Sequence, residues 1–289
     1  MPTTSPLVRR MHLAQVVRTL RHEAGITHTQ LVKATGLPRP TLSRLENADR
    51  RPNLAAVIKI LQALGLSQSE QRHQEIIALA MEAAETGWWD RREYLAMGDR
   101  QRIVADIEHG ATTIREYQSA LLPGLLQTED YARYRAEVAG AEDVVATVRG
   151  RLRRQQLLTS VGAPTYALVV EEQVVRRLAV PPAVMLSQLH HLLDLSAATA
   201  TSVRVLPVDG RLGDGYLPRS PFALYTHGGG DPVVAVVDTV DKDLVDDDTD
   251  TTARYAQLHD RLCAAALSVE DSAKLIHEVA SHLAVEVRS

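Results

Sequence analysis

GITHTQLVKATGLPRPTLSRLENADRRP, residues Gly25–Pro52, decides the fold of the first part of the chain. Thr27 is placed to cap a helix, with Gln30 three positions on as its reciprocal partner. Leu31 and Ala34 face inward from that helix, and Gly36 supplies the turn after it. Pro38 or its neighbour opens the next helix, where a missing N–H costs nothing. Leu42 and Leu45 are the core side of that helix, which leaves Arg39, Thr41, Ser43 and Arg44 to point outward. The pattern is a short helix, a tight turn, and a second helix with long basic and hydroxyl side chains on its outer side.

Apolar helices flank this pair. Leu13, Val16, Val17 and Leu20 lie at helical spacing, and Gly25 ends their helix. After the basic loop Asn47–Arg51, Pro52 and Asn53 start a fourth helix with Leu54, Val57, Ile58, Leu61 and Leu64 on its apolar side, and Gly65 stops it. Residues 1–65 carry ten Lys and Arg against three Asp and Glu, and residues 66–289 carry 22 against 33. The net charge of −4 therefore hides a +7 end on a −11 body, the asymmetry of a small nucleic-acid module joined to something else.

Composition bounds the rest. A length of 289 residues suggests two domains, and 45% apolar with 24% charged residues is ordinary for a soluble globular protein. Cys263 is the single cysteine, which excludes a disulfide framework and a Cys-rich zinc site within one chain. The first ten residues are polar and basic, unlike a signal peptide, and no apolar run approaches the roughly 18 residues of a membrane span. The expectation is a cytoplasmic protein without membrane contact.

The motif resembles the helix-turn-helix repressors of the lambda, Cro and xenobiotic-response-element class. The matching residues are GIT at 25–27, Leu31, Gly36-Leu37 and TLSRLEN at 41–47. The resemblance implies a helical domain, of the five-helix type, whose third helix enters the major groove of double-stranded DNA as one half of a homodimer. It implies Arg39 and Arg44 as base readers, with Thr41 and Ser43 adding base or phosphate contacts. His28, Asn47 and Arg50 match phosphate-contacting positions, and Thr27 completes the expected DNA-binding set. Arg21 and Glu46 match a structural ion pair between the first and third helices. Three residues depart from the family: His28 replaces a usual glutamine, Val32 a usual alanine, and Pro40 removes a donor and a reader from the third helix. These leave the target sequence open.

Beyond residue 67 the pattern is mixed. Residues 68–86 read as a helix, followed by Gly87 and Trp88-Trp89, two tryptophans that more often dock a linker on a domain than recognise a ligand, and that also fit a dimer contact. Ile103–Ala120, Thr128–Ala139, Ala141–Thr159, Pro182–Leu195, Thr251–Leu267 and Val269–Leu283 read as helices. Tyr166–Val170, Ser202–Leu206, Phe222–Thr226 and Val233–Val240 read as strands, the last two a hairpin across Gly228–Pro232. The expected fold is mainly α, with an α+β second domain whose helices surround a small, largely antiparallel sheet. The expected divisions are a DNA-binding domain at 10–67, a helical connector at 68–99 and a regulatory or partner-binding domain at 100–285.

This second part resembles WhiJ-like actinobacterial regulators, antitoxin-like proteins in which the same helix-turn-helix precedes a large domain of unassigned role. SALLPGLLQTEDYAR at 119–133 and ALVVEEQVVRR at 167–177 carry the likeness, which spans roughly residues 10–285. It implies transcriptional regulation, often beside a small acidic partner protein, which the basic stretch Arg149–Arg154 would suit. A small-molecule effector of unknown type is the other expected partner.

No feature argues for an enzyme, a cofactor or a metal. A DNA-tethered enzyme, a hydrolase or nucleotide-processing domain with Glu171 and Glu172 as its candidates, is the third reading after regulator and sequestering protein. The run Asp241, Asp243, Asp246, Asp247, Asp248 and Asp250 lacks the glycine and closing glutamate of a calcium loop and reads as a solvated turn capping the helix at Thr251. Glu171 and Glu172 follow a strand, where carboxylates serve catalysis or pair with a basic side chain to hold the fold. His190 and His191 are adjacent on a helix and diverge by about 100°. The Gly228–Gly230 triplet lacks the ending of a phosphate loop, and Cys263 lies on an apolar helix side as a small hydrophobe.

Overall fold

The computed structural model describes residues 4–213, 215–239 and 242–288. Five helices open the chain: α1 (Pro6–Glu23), α2 (His28–Thr35), α3 (Arg39–Glu46), α4 (Leu54–Ala63) and α5 (Gln71–Ala83). Leu13, Val17 and Leu20 of α1 join Leu31, Leu42, Leu45, Val57, Ile60 and Leu61 in one core. Helix α5, in the expected connector stretch, adds Ile76, Leu79, Ala80 and Ala83 to that core. Trp88 and Trp89 follow in a 3-10 turn and bury against Met97 and Ala105, so they dock this segment on the next layer.

The second part runs α6 (Asp99–Glu108), β1 (Ala111–Gln118), α7 (Glu129–Val138), α8 (Val144–Gln155), β2 (Thr165–Glu171), α9 (Glu172–Arg176) and α10 (Pro182–Ala198). It continues with β3 (Thr201–Leu206), β4 (Phe222–His227), β5 (Val234–Val237), β6 (Leu244–Asp246), α11 (Thr249–Ala265) and α12 (Val269–Arg288). The six strands form one mixed sheet in the order β3-β2-β1-β4-β5-β6. The pairs β1-β2 and β2-β3 are parallel, and β1-β4, β4-β5 and β5-β6 are antiparallel. The antiparallel half is the expected hairpin extended by β6, and the parallel half needs the helical crossovers that α7–α8 and α9–α10 supply. Alternation sorts the two faces: Ile114, Tyr166, Leu168, Tyr225 and Val236 meet the main core, and Tyr117, Val169 and Phe222 meet Leu258 and Leu262 of α11.

Two expectations are corrected. Ile103–Ala120 is not one helix: α6 stops at Glu108, Gly110 turns at φ 76°, and ATTIREYQ becomes β1. β1 lies in the middle of the sheet, so pairing on both edges overrides the weak helical pattern of that stretch. The strand β6 was not expected, and Val240 and Asp241 lie outside the described residues.

Helix α1 belongs to both halves. Its Val8 is buried in the core beneath the sheet, with Leu7 and Met11 packed against it, while Leu13 and beyond serve the first core. Polar contacts fix the junction. Asp106 of α6 accepts hydrogen bonds from Ser5 Oγ at 2.8 Å and from the Leu7 N–H at 3.0 Å. Arg9 and His12 reach the side chain of Asp231 at 3.1 and 2.9 Å, and Gln15 donates to Asp247 at 2.8 Å.

Candidate nucleic-acid interface

The α2–turn–α3 unit is set by local chemistry. Thr27 accepts from the Gln30 N–H at 3.3 Å, and Gln30 Oε1 accepts from the Thr27 N–H at 2.8 Å, a reciprocal capping box that closes the start of α2. Gly36 takes φ 65° at the end of α2, a left-handed conformation that a side chain there would strain. Pro38 precedes α3 in extended conformation, and Pro40 occupies its first turn.

The placement of the side chains on α3 follows helical geometry. Arg39, Pro40, Ser43, Arg44 and Asn47 fall within an arc of about 140°, opposite the buried Leu42 and Leu45, with the buried Glu46 beside the Arg39 edge. Arg39, Arg44 and Asn47 are exposed and Ser43 is half-buried within the arc, whereas Thr41 is half-buried outside it. Arg50 is exposed in the loop after α3, where Ala48 turns with φ 57°. His28 opens α2, half-buried, its Nδ1 shielded with no hydrogen-bond partner among the described residues. Thr27 is exposed, with its hydroxyl committed to the cap.

Behind this surface stands the ion pair of Arg21 and Glu46. Arg21 donates from Nε and Nη2 to the two oxygens of Glu46 at 2.7 and 3.2 Å, and from Nη1 to the Ile26 carbonyl at 3.3 Å. Arg18 donates to the Glu46 carbonyl. A two-pronged pair of this kind fixes the angle of α3 against α1.

The ten basic residues of the first 65 divide into two groups. Arg9, Arg10, Arg21 and Arg51 hold carboxylates, and Arg18 holds a carbonyl. Lys33, Arg39, Arg44, Arg50 and Lys59 are exposed, with no ion-pair partner among the described residues.

In the second half the three candidate carboxylates are tied into the fold. Glu171 accepts from Tyr117 Oη at 2.7 Å, and Glu172 accepts from Arg176 Nε at 2.6 Å and the Val208 N–H at 3.1 Å. Asp248 caps α11 by accepting from the Thr251 N–H at 2.9 Å. His190 is exposed and His191 half-buried on α10. Cys263 Sγ lies 3.6 Å from His259 Nδ1, and burial pushes the thiol up and the imidazole down, away from a reactive ion pair. Among the described residues no group of three or more His, Cys, Asp or Glu is placed to hold a metal ion, and no helix is long and apolar enough to cross a membrane.

Sequence reasoning missed a buried polar group beneath α8. Arg154 reaches Glu108 with Nη2 2.6 Å and Nε 2.8 Å from its two oxygens, and both side chains are nearly inaccessible. Beside them Glu116 of β1 accepts from Tyr166 Oη at 2.5 Å and from Gln118 Nε2 at 2.8 Å. Burial pushes the Glu116 carboxyl up to about 7, against the pull of those two hydrogen bonds. The available signal was Glu116 and Gln118 alternating with Arg115 and Tyr117 in β1, which places two polar groups on one sheet face.

Comparison with known proteins places both halves. Residues 12–74 match a family model described as a helix-turn-helix domain, and residues 101–278 match one described as a domain of unknown function, DUF5753. No curated protein and no solved structure matches the chain. Since the second match covers more than half of the residues, the chain belongs to the DUF5753 family and carries a helix-turn-helix domain ahead of that domain.

Proposed function

We propose that this protein is a transcriptional regulator that recognises a specific double-stranded DNA sequence, with α3 seated in the major groove. Arg39 and Arg44 read bases, while His28, Asn47 and Arg50 hold phosphates and set the register. The observation that carries this is the division of the basic residues. The ones facing inward all have protein partners, and the ones left free include both arginines on the outer arc of α3. The motif likeness to the xenobiotic-response-element class supports a homodimer on half-sites about one helical turn apart. The WhiJ-like likeness of the second half supports an actinobacterial regulator that works in the cytoplasm and answers to a partner protein or an effector. We assign it no catalytic step.

A second reading is sequestration of a small acidic protein through Arg149–Arg154, which would rest on only part of that stretch. Arg149 is exposed, but Arg151 and Arg154 are engaged within the domain, and the guanidinium of Arg153 lies 5.9 Å from the Trp88 ring centre.

The test is Arg44→Ala in the full chain, measured on an operator isolated by genome-wide mapping of bound sites. Losing one guanine-reading fork is expected to weaken specific binding by about 1–3 kcal/mol and to relax preference at one base position. Unchanged affinity and unchanged base preference remove Arg44 from the readers and α3 from the groove.

A further inference from the structure

The polar group beneath α8 borders a cavity of about 370 Å³, between α6, α7, α8 and the face of the sheet carried by β1, β4 and β5. Small-molecule sites run from roughly 300 to 1,000 Å³ and combine apolar walls with a few convergent polar groups. Here Leu122, Ala136, Ala223 and Val236 supply apolar wall. The charged wall is unusual in its balance.

Four arginines line the cavity. Two of them hold carboxylates: Arg154 holds Glu108, and Arg100 Nη2 lies 2.5 Å from Asp243. The other two hold none among the described residues. Arg151 donates from Nη1 to the neutral Gln127 Oε1 at 2.6 Å, and Arg135 donates to the Ala179 carbonyl at 3.4 Å. Each leaves its Nε buried without a hydrogen-bond partner. Both line the cavity together with Leu122, Gly124 and Gln127 of the segment before α7.

An amide does not balance a buried cation. Burial, and then repulsion from Arg154, bring the Arg151 guanidinium down to about 10. The acidic side offers little compensation, since burial raises both Glu116 and Asp238 toward their neutral forms. The segment that holds Arg151 is the PGLLQTEDYA stretch, the most distinctive part of the second half. Gln127 donates to the Leu122 carbonyl at 2.6 Å while it orients Arg151, and Gln155 clamps the carbonyls of Gly124 and Gln127 at 2.9 and 2.7 Å. This is a rigid mount for a cation with no ion-pair partner among the described residues.

We propose that the cavity binds a small organic carboxylate, its anionic group held by Arg151 and Arg135 and its apolar body against Leu122, Ala223 and Val236. A singly charged planar group fits better than a phosphate dianion. The guanidinium fork matches a planar carboxylate, and the apolar wall suits an organic body rather than a bare inorganic anion. The site also touches the junction of the two halves. Asp243 in its wall and Asp247, the acceptor for Gln15 of α1, lie on one short segment around β6. An occupant that shifts this segment acts on the helix shared by both cores. That consequence rests on the regulator proposed above; the binding does not.

The experiment is thermal unfolding of the dialysed full chain without DNA, at constant ionic strength, in sodium benzoate, sodium octanoate, sodium citrate, benzamide or sodium phosphate. At least one carboxylate is expected to raise Tm saturably, with no shift from benzamide. Arg151→Met is expected to abolish that shift and to leave the Tm of the unliganded protein equal or higher, by up to roughly 2–4 °C, because an uncompensated buried charge is removed. If Arg151→Met does not fold, Arg135→Met on α7 carries the same comparison. Absence of any carboxylate shift, an equal shift in the variant, or stabilisation by phosphate alone overturns the proposal. A variant Tm that falls by several degrees also overturns it and makes Arg151 scaffold. A gel-shift on the operator, run with the same protein, separates this failure from failure of the DNA-binding proposal.

Discussion

Two arginine-rich stretches of this chain look alike in sequence and are opposite in structure. Arg39–Arg51 and Arg149–Arg154 are both basic, helical or next to a helix, and interspersed with leucine. In the first, Arg39, Arg44 and Arg50 stand exposed with no ion pair among the described residues. In the second, Arg154 is buried on Glu108 and Arg151 lines a cavity. The difference lies in the neighbours on the helix. On α3, Leu42 and Leu45 take the inner side and force the arginines out. On α8, Ala146, Gly150 and Arg154 form one ridge at four-residue spacing. A Cβ on Gly150 would stand 2.4 Å from Met97 Sδ and 2.9 Å from Met97 Cβ, so its absence lets the ridge close down and carry Arg154 inward. Charge density alone does not mark a nucleic-acid surface; what shares the helix face with it does.

The contrast breaks most sharply at Glu108. Glu108→Ala leaves Arg154 buried and unpaired, and is expected to cost roughly 3–5 kcal/mol of stability. Arg44→Ala, which removes an equal charge from an exposed position, is expected to shift stability by less than about 0.5 kcal/mol. Chemical denaturation followed by far-UV circular dichroism measures both. Similar losses in the two variants abolish the distinction between a buried and a presented arginine.

Glu116 sharpens the same comparison through pH. Its carboxyl titrates near 7 in the folded chain and near 4.5 in the unfolded one, so the folded state holds the proton longer. Stability contributed by this group is therefore highest below about pH 4.5, declines as pH rises toward 7, and stays low above it. Glu116→Gln, which keeps a neutral hydrogen-bonding group, is expected to remove this decline and to gain roughly 3 kcal/mol at pH 8. Denaturation midpoints between pH 5 and 8 read it out, and a variant that keeps the wild-type slope places the titration elsewhere.

The two halves also differ in how much of them the sequence discloses. Capping by Thr27 and Gln30, the Gly36 turn and the leucine spacing of α3 are local signals, each acting within four residues, and all appear where the pattern placed them. β1 failed because its identity is not local: ATTIREYQ becomes a strand through pairing with β2 and β4, over 50 residues away along the chain on one side and over 100 on the other. The mount of Arg151 was invisible for the same reason, since it takes Gln127 from one segment and α8 from another to make it. The shared helix α1 shows a third limit. Val8 and Leu13 sit on one amphipathic helix, and nothing in the spacing says that they enter separate cores.

The smallest expected effect lies in the loop after α3, where two adjacent arginines repeat the comparison on a scale of one residue. Arg50 is exposed with no ion pair among the described residues, whereas Arg51 donates to Asp90 Oδ2 at 2.5 Å, and Asp90 is held in turn by Arg102 at 2.9 Å. A phosphate contact releases condensed counterions and steepens the dependence of log K on log salt by about 0.9 per phosphate. Arg50→Ala is therefore expected to reduce that slope by about one, to weaken specific and non-specific DNA alike, and to leave stability within about 0.5 kcal/mol of the parent. Arg51→Ala is expected to leave the slope unchanged, because its charge is already matched by a carboxylate. Binding titrations across a salt series resolve the two variants. An unchanged slope in Arg50→Ala removes this side chain from the phosphate set. A reduced slope in Arg51→Ala means that DNA competes successfully with Asp90, so the ion pair between loop and connector opens on binding and transmits contact with DNA toward α6.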